Sequence, residues 1–490
     1  MTRLTNPRMA GLLVALVAGV LLTPRHMAAQ QERRYGGGDK DPQPTKATLA
    51  IVGGMLIDGT AGTPVSHSLI LIDGNKIVAV GTKDTLKVPP GAKTVDAGGM
   101  TVMPGLIDAH VHMDTIGHTD YQYWHQTYKS RIHEIYAISS RHMLFSGVTT
   151  ALDLGGKIED LAAYKKKLQS GAEVGVRLKS SMGFITDLSE SYVATWHRGY
   201  QTINVHNAED ARGAALKYIA SGAEVLKAYT GLNGPEVKAI ADEAHAKGLW
   251  VTGHVEGIQN TIDRLNAGQD AIEHTGGYAL GGKVPDEVIK LMLTRRTWIC
   301  PTLITNGAQI DAVEWPEFWT DSQRMKANTP PEIWADIRRS LDYPNRVLTN
   351  FGGFVHWRSA DESKEIFQQL YHAGVRLLVG TDASTPLNFK TDALIREMDL
   401  MVRYGVPPME VISMATRINA EYMKMGSQIG TVTAGKLADI IVVDGNPLQD
   451  MRDLRHVAVV VKDGKVVKGA TADAAPSSSP TSQTKSGDGR

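Results

Sequence analysis

Residues 105–114 read GLIDAHVHMD, an apolar run that ends in two histidines separated by one residue. Four later runs end on a polar side chain in the same way: EVLKAYTG (224–231) carries Lys227, WVTGHVEG (250–257) His254, AIEHTGG (271–277) His274 and LLVGTDAS (377–384) Asp382. In a closed barrel of alternating strands and helices the chemistry gathers where the strands end, so residues spread from His110 to Asp382 can meet in one pocket. The pattern predicts an α/β chain built on a (β/α)8 barrel of the TIM type.

Eight apolar segments fit that plan: 105–111, 148–154, 176–182, 224–229, 249–254, 270–274, 297–303 and 376–381. Helical patterns separate them; in the clearest, Pro235 opens the first turn and Gly248 stops the run 236–247. The stretch 304–360 breaks the rhythm. There Trp315, Trp319, Trp334 and Trp357 lie among prolines and charges, which reads as a helical insertion after the seventh strand, placed to roof the pocket. Its tryptophans read first as core or interface and second as a substrate platform. Residues 47–102 and 426–469 differ from the barrel at 103–425: short β-rich runs alternate with turns, and Asp73-Gly74 and Asp463-Gly464 each divide two β-branched runs, the mark of a tight hairpin. Both ends together predict one composite β-sandwich flanking the barrel, the alternative being two separate hairpins packed on it.

Across 490 residues, 52 Lys plus Arg balance 52 Asp plus Glu, so no net field selects nucleic acid as a partner, and a small molecule or dipeptide is expected. Oligomeric state, a homo-oligomer included, stays open. The single cysteine, Cys300, excludes an internal disulfide and a thiolate-rich zinc site; with no basic neighbour it reads as a buried strand residue. Residues 1–29 look like an export signal, with Arg3 and Arg8 before an uncharged stretch from Met9 to Leu22 and the small pair Ala28 and Ala29 after it. That stretch falls short of the about 20 apolar residues of a spanning helix. The expectation is a periplasmic or secreted protein with no membrane partner after signal removal; an uncleaved anchor is the alternative. Residues 30–46 and 470–490 read as a disordered linker and tail.

Hydrolysing an amide at neutral pH needs a strong nucleophile and a group that stabilises the oxyanion, and two divalent ions about 3.5–4 Å apart supply both through a bridging hydroxide. His110 and His112 alternate with Val111, so in an extended strand both imidazoles point to one face and can hold one ion. His254 and His274, at neighbouring strand ends, can hold the other. Lys227 supplies the missing anionic bridge only if carbon dioxide carboxylates its amine to a carbamate, because an ammonium has three donors and no lone pair. Asp382 completes the first ion's coordination and, beside the hydroxide, can take its proton and pass it to the leaving nitrogen. Such ligands suit zinc, and admit manganese, cobalt or iron. Each residue also has a plainer reading: a structural strand histidine, an ion pair from Lys227 to Glu224 or Asp153, a helix cap at Asp382. His118, His125, His133, His142 and His245 read as solvent-facing, with His142 alone near enough to the second strand to reach a substrate.

The motifs VMPGLIDAHVH, SGVTTALDLG, VLKAYTG, VTGHVEG, AIEHTGG, LLVGTDAS and TVTAGKLADIIVVDGNPL together resemble the amidohydrolase superfamily, in its imidazolonepropionase-like and secreted metallo-dipeptidase branch, over about residues 48–468. The resemblance implies a metallo-barrel with a flanking β-sandwich, a binuclear zinc-type centre bridged by carboxylated Lys227, and Asp382 as proton shuttle. It implies hydrolysis of C–N bonds in dipeptides, N-acyl amino acids or cyclic amides. TTALDLG departs from the arginine-bearing version common after the second strand. Tyr278 stands one residue later than the tyrosine that meets the substrate carboxylate in related dipeptidases; Arg131 and Arg198 are further candidates for that contact. Two other readings stay open, a mononuclear cyclic-amide hydrolase or deaminase with unmodified Lys227, and a non-catalytic exported binding protein.

Overall fold

A computed structural model describes residues 43–118, 120–196, 202–305, 322–341, 360–385 and 388–473. Residues 1–29, read above as an export signal, together with Arg198, Trp315, Trp319, Trp357 and most of the expected linker and tail, lie outside the described residues. All eight barrel segments appear as strands in order: Leu106–Val111, Val148–Asp153, Arg177–Ser180, Leu226–Ala228, Val251–Gly253, Ala271–Glu273, Trp298–Cys300 and Arg376–Leu377. Most are shorter than expected, because the chain leaves the extended conformation near the site. The third position is split. Arg177–Ser180 pairs with the second strand; then, past Met182 at a left-handed φ of 62°, Phe184–Thr186 resumes beside Leu226–Ala228. A further short strand, Thr202–Asn204, lies on the outer edge of Phe184–Thr186. Closure joins first and eighth strands: Ala109 N donates to Val379 O at 3.1 Å, and a parallel bridge links Val111 to Ala383.

The helix Gly234–Ala246 illustrates why the outer layer forms. Asn233 caps its start, Glu236 returns the bond to close a capping box, and Pro235 sits where no intrahelical donor is needed. Val237, Ile240, Ala241 and Ala244 then recur at helical spacing and are buried against the strands. On the inside, Gly253 lets the fifth strand approach the fourth: a methyl group there would overlap the Ala228 carbonyl. Gly253→Ala is therefore expected to cost about 1–3 kcal/mol as an overpacked substitution. A thermal melt beside that of the wild type checks this; an unchanged midpoint would remove the argument for Gly253.

Two five-stranded sheets make the flanking domain, and each draws strands from both ends of the chain. One holds Leu49–Val52, Ser68–Asp73, Lys76–Thr82, Lys93–Asp96 and Ala472–Asp473; the other holds Met55–Leu56, Thr101–Pro104, Ile440–Val443, Val457–Lys462 and Lys465–Lys468. Ile51, Ile70 and Val95 of the first pack on Val102, Ile440 and Val461 of the second, so the two ends form one core rather than separate hairpins. At the Asp463-Gly464 turn both residues take positive φ, 49° and 75°, as a tight hairpin requires. Ala472–Asp473, inside the stretch expected to be disordered, instead pairs antiparallel with Lys93–Thr94.

Of the insertion, helices Ser322–Ala327 and Pro331–Leu341 are described. Met325, Ile333 and Ile337 bury against Ile116, Trp124, Ile135 and Phe389, with Trp334 half-buried on that cluster. Asp336 accepts from Tyr128 at 2.9 Å and Tyr123 at 3.2 Å. The described part thus rests on the chain that follows the first strand.

Candidate metal centre

The six residues singled out in the sequence come together at the C-terminal ends of their strands. The Nε2 atoms of His110 and His112 lie 3.3 and 3.1 Å from the same Asp382 oxygen. His254 and His274 bring their Nε2 atoms to 3.2 Å of each other. Their outer nitrogens are engaged elsewhere: His254 Nδ1 is 3.2 Å from Thr230 Oγ1 and His274 Nδ1 is 2.6 Å from Thr302 Oγ1. Anchoring one ring nitrogen fixes the direction in which the other points. The two pairs adjoin, with the rings of His110 and His274 5.2 Å apart. His274, Thr302 and Asp382 all take left-handed φ angles, 69°, 45° and 55°, and non-glycine strain of this kind collects at functional sites.

Burial decides the charge states. It lowers the imidazoles of His110, His254 and His274, the last to about 3, so all three are neutral at neutral pH and keep a lone pair. Burial alone would raise Asp382, but His110, His112 and His274 outweigh it and hold the carboxyl below the usual carboxylate range. Burial also lowers the Lys227 amine. That amine, on a side chain 1% exposed, has no hydrogen-bond partner among the described residues. Neither ion pair weighed from the sequence forms: Glu224 is bound by Lys165, and Asp153 accepts the amides of Met113 and Gly155. Neutral imidazoles, an ionised carboxylate and an orphaned buried amine form a donor set that fits divalent cations, which require deprotonated ligands. Among the described residues two groups present ligand atoms within 4.8 Å of one another: His110, His112 and Asp382, and His110, Glu273 and Cys300.

Glu273 is the residue that sequence reasoning missed. It is buried directly before His274, accepts from His110 Nδ1 at 2.8 Å and also from the Thr252 hydroxyl. Burial pushes its carboxyl up, but His110 and Lys227 bring it down to about 2. The signal available was an acidic residue inside an otherwise apolar strand. Glu273→Gln is expected to weaken metal retention by about 10–100-fold, the usual effect of losing a carboxylate behind a ligating imidazole. Competition with a chelator measures it, and unchanged retention would mean that Glu273 does not orient His110.

Other histidines depart from expectation. His142 is buried, not solvent-facing; its Nε2 lies 3.0 Å from Thr329 Oγ1 of the insertion, and burial lowers its imidazole to about 3. His118 is likewise buried and accepts the Asp120 amide at 3.0 Å. His125 pairs with buried Asp114 at 3.2 Å, His133 is half-buried, and His245 is exposed beside Asp270. Tyr278 is buried and donates to the His274 carbonyl at 3.1 Å, which braces the turn carrying that histidine. Arg131 is engaged by Glu134 and Glu332. Cys300 is a buried thiol at the end of the seventh strand.

A profile of the Amidohydrolase family matches residues 101–467. An enamidase of Eubacterium barkeri is 23% identical over 445 residues, covering 84% of this chain and 93% of the enamidase. A 5-methylthioadenosine/S-adenosylhomocysteine deaminase of Symbiobacterium thermophilum is 22% identical over 467 residues, covering 86% of this chain and 93% of the deaminase. In fold, the chain is similar to a crystal structure of a Xaa-Pro dipeptidase with methionine bound in the active site, at TM-score 0.68 and 24% identity, over 86% of this chain and 100% of that one.

Proposed function

The chain belongs to the amidohydrolase family and is a hydrolase of C–N bonds, and we propose that its substrates are small amides, either dipeptides or N-acyl amino acids, cleaved at a binuclear centre. The observation that carries this reading is the Lys227 amine, buried, without a hydrogen-bond partner among the described residues, and within electrostatic reach of Glu273, Asp382, His110, His254 and His274. A neutral amine in that position is the form that adds carbon dioxide, and the resulting carbamate replaces donors with two acceptor oxygens. His110, His112 and Asp382 would hold one ion, His254 and His274 the other, with Lys227 between them.

Divalent ions held by these residues, zinc or another metal of similar preference, would supply a lowered pKa for water and polarisation of the scissile carbonyl. The protein's own groups do the rest. Asp382, ionised although buried, accepts the proton of the attacking water and delivers it to the departing nitrogen, which would otherwise leave as an unstable anion. Thr230 and Thr302 keep the paired histidines in place, and Glu273 does the same for His110. Tyr278 serves through the His274 backbone.

A mononuclear deaminase or cyclic-amide hydrolase is the second reading. It is favoured by the full-length likeness to the enamidase and the deaminase, and by the completeness of the His110, His112 and Asp382 group. Metal analysis separates the two. Two ions per chain, with hydrolysis in a library of dipeptides and N-acyl amino acids assayed with zinc or manganese, are expected. One tightly held ion and full activity without Lys227 would leave only the second reading. Inactivity across the library would sink the first and revive a non-catalytic binding role. Export to the periplasm or medium is part of the proposal, and a mature N-terminus near Gln30 is its test.

A further inference from the structure

The chain closes its barrel with little ladder. The eighth strand is two residues long, and beyond it the backbone carrying Asp382 turns left-handed. Three backbone bonds cross that seam at the site: His112 N to Ala383 O at 2.6 Å, Asp382 N to His110 O at 2.8 Å and Thr381 N to His110 O at 3.2 Å. Immediately outside them, Thr115 and Ser384 exchange bonds. The Thr115 hydroxyl donates to the Ser384 carbonyl at 3.2 Å, and the Ser384 hydroxyl donates to the Thr115 carbonyl at 3.1 Å. Lys390 completes this knot. Its ammonium donates to the Thr115 carbonyl and to the Ser384 hydroxyl, both at 2.6 Å, and its side chain is 4% exposed.

We propose that Lys390 is a positioning residue that clamps the loop after His112 to the loop after Asp382 and so fixes the distance between these side chains; this rests on the hydrolase reading above. A cation is costly to bury: burial lowers the Lys390 amine to about 7, and Asp114, Asp153 and Asp108 act against that fall. Two of those carboxylates brace the same loops. Asp108 binds His110 N at 3.1 Å and the Thr381 hydroxyl at 2.8 Å, while Asp153 binds Met113 N at 3.0 Å and Gly155 N at 2.9 Å. Lys390 is therefore the centre of a buried network in which Thr115, Ser384, Asp108 and Asp153 meet the backbone within a few residues of the proposed ligands. The Lys390 amine bonds to Thr115 and Ser384 and not to a proposed ligand side chain.

Lys390→Met keeps the length of the stem and removes the charge and the donors. Hydrogen–deuterium exchange is expected to accelerate roughly tenfold in segments 111–117 and 381–391, the effect of losing bonds to a charged donor, with Val148–Asp153 and Ala271–Glu273 still protected. With zinc loaded, kcat is expected to fall roughly 10-fold or more at unchanged KM, the range seen when support behind a metal site is lost. Should Lys390→Met fail to fold, Ser384→Ala, which keeps the cation, is expected to show the same two-segment acceleration to a smaller degree. Acceleration spread evenly over the barrel, or none in these segments, overturns the clamp. A wild type that neither binds zinc nor hydrolyses amides would count against the hydrolase reading instead, while exchange in the metal-free protein would still decide the role of Lys390.

Discussion

Asp382→Asn is expected to leave the fold intact and to lower kcat by about 10²–10⁴-fold, the contribution of a positioned proton-transfer group. Asparagine is the informative replacement. Position 382 has φ 55°, a left-handed conformation that asparagine, unlike most residues, adopts at little cost. Its amide oxygen can still face the Nε2 atoms of His110 and His112, so side-chain size and backbone strain stay nearly constant. What disappears is the negative charge and the capacity to accept a proton. Retained near-ultraviolet circular dichroism with lost turnover is the expected pair of results. A variant within tenfold of wild-type kcat would exclude Asp382 as proton shuttle, whatever its part in holding a metal.

The barrel was legible because five of the eight segments are apolar runs stopped by a residue that apolar surroundings do not favour, and eight segments at barrel spacing admit few other folds. The composite sandwich was legible from the Asp-Gly turns. Glu273 was hidden by the same alternation that exposed His110 and His112. Neighbours in a regular strand point to opposite faces, so Glu273 and His274 should not serve one site. The left-handed backbone at His274 breaks that alternation and brings both into one cluster. His142 was misread for a different reason: buried, it meets Thr329 from 187 residues away, and no local pattern announces a contact of that range. The split third strand and the two-residue pairing at Ala472–Asp473 are too short to leave a periodic trace.

Lys227→Met should separate stability from activity more sharply than any other substitution. An amine buried without a partner costs about 1–3 kcal/mol relative to a satisfied or apolar group. Methionine fills nearly the same volume without a donor. In metal-free protein the urea midpoint of Lys227→Met is therefore expected to equal or exceed that of the wild type. Turnover should move the other way. If Lys227 bridges two ions, its loss removes several kcal/mol of transition-state stabilisation, and each 1.36 kcal/mol is tenfold in rate, so a fall of about 10³-fold or more is expected. Metal content should drop from two ions to one, and the dependence of metal uptake on added bicarbonate, expected in the wild type, should vanish. A lysine kept for packing would give the reverse: a lower midpoint, unchanged metal content and unchanged turnover. An unsatisfied amine in the centre of a well-packed barrel is hard to account for by stability, and the proposed carbamate is the reading that these measurements test.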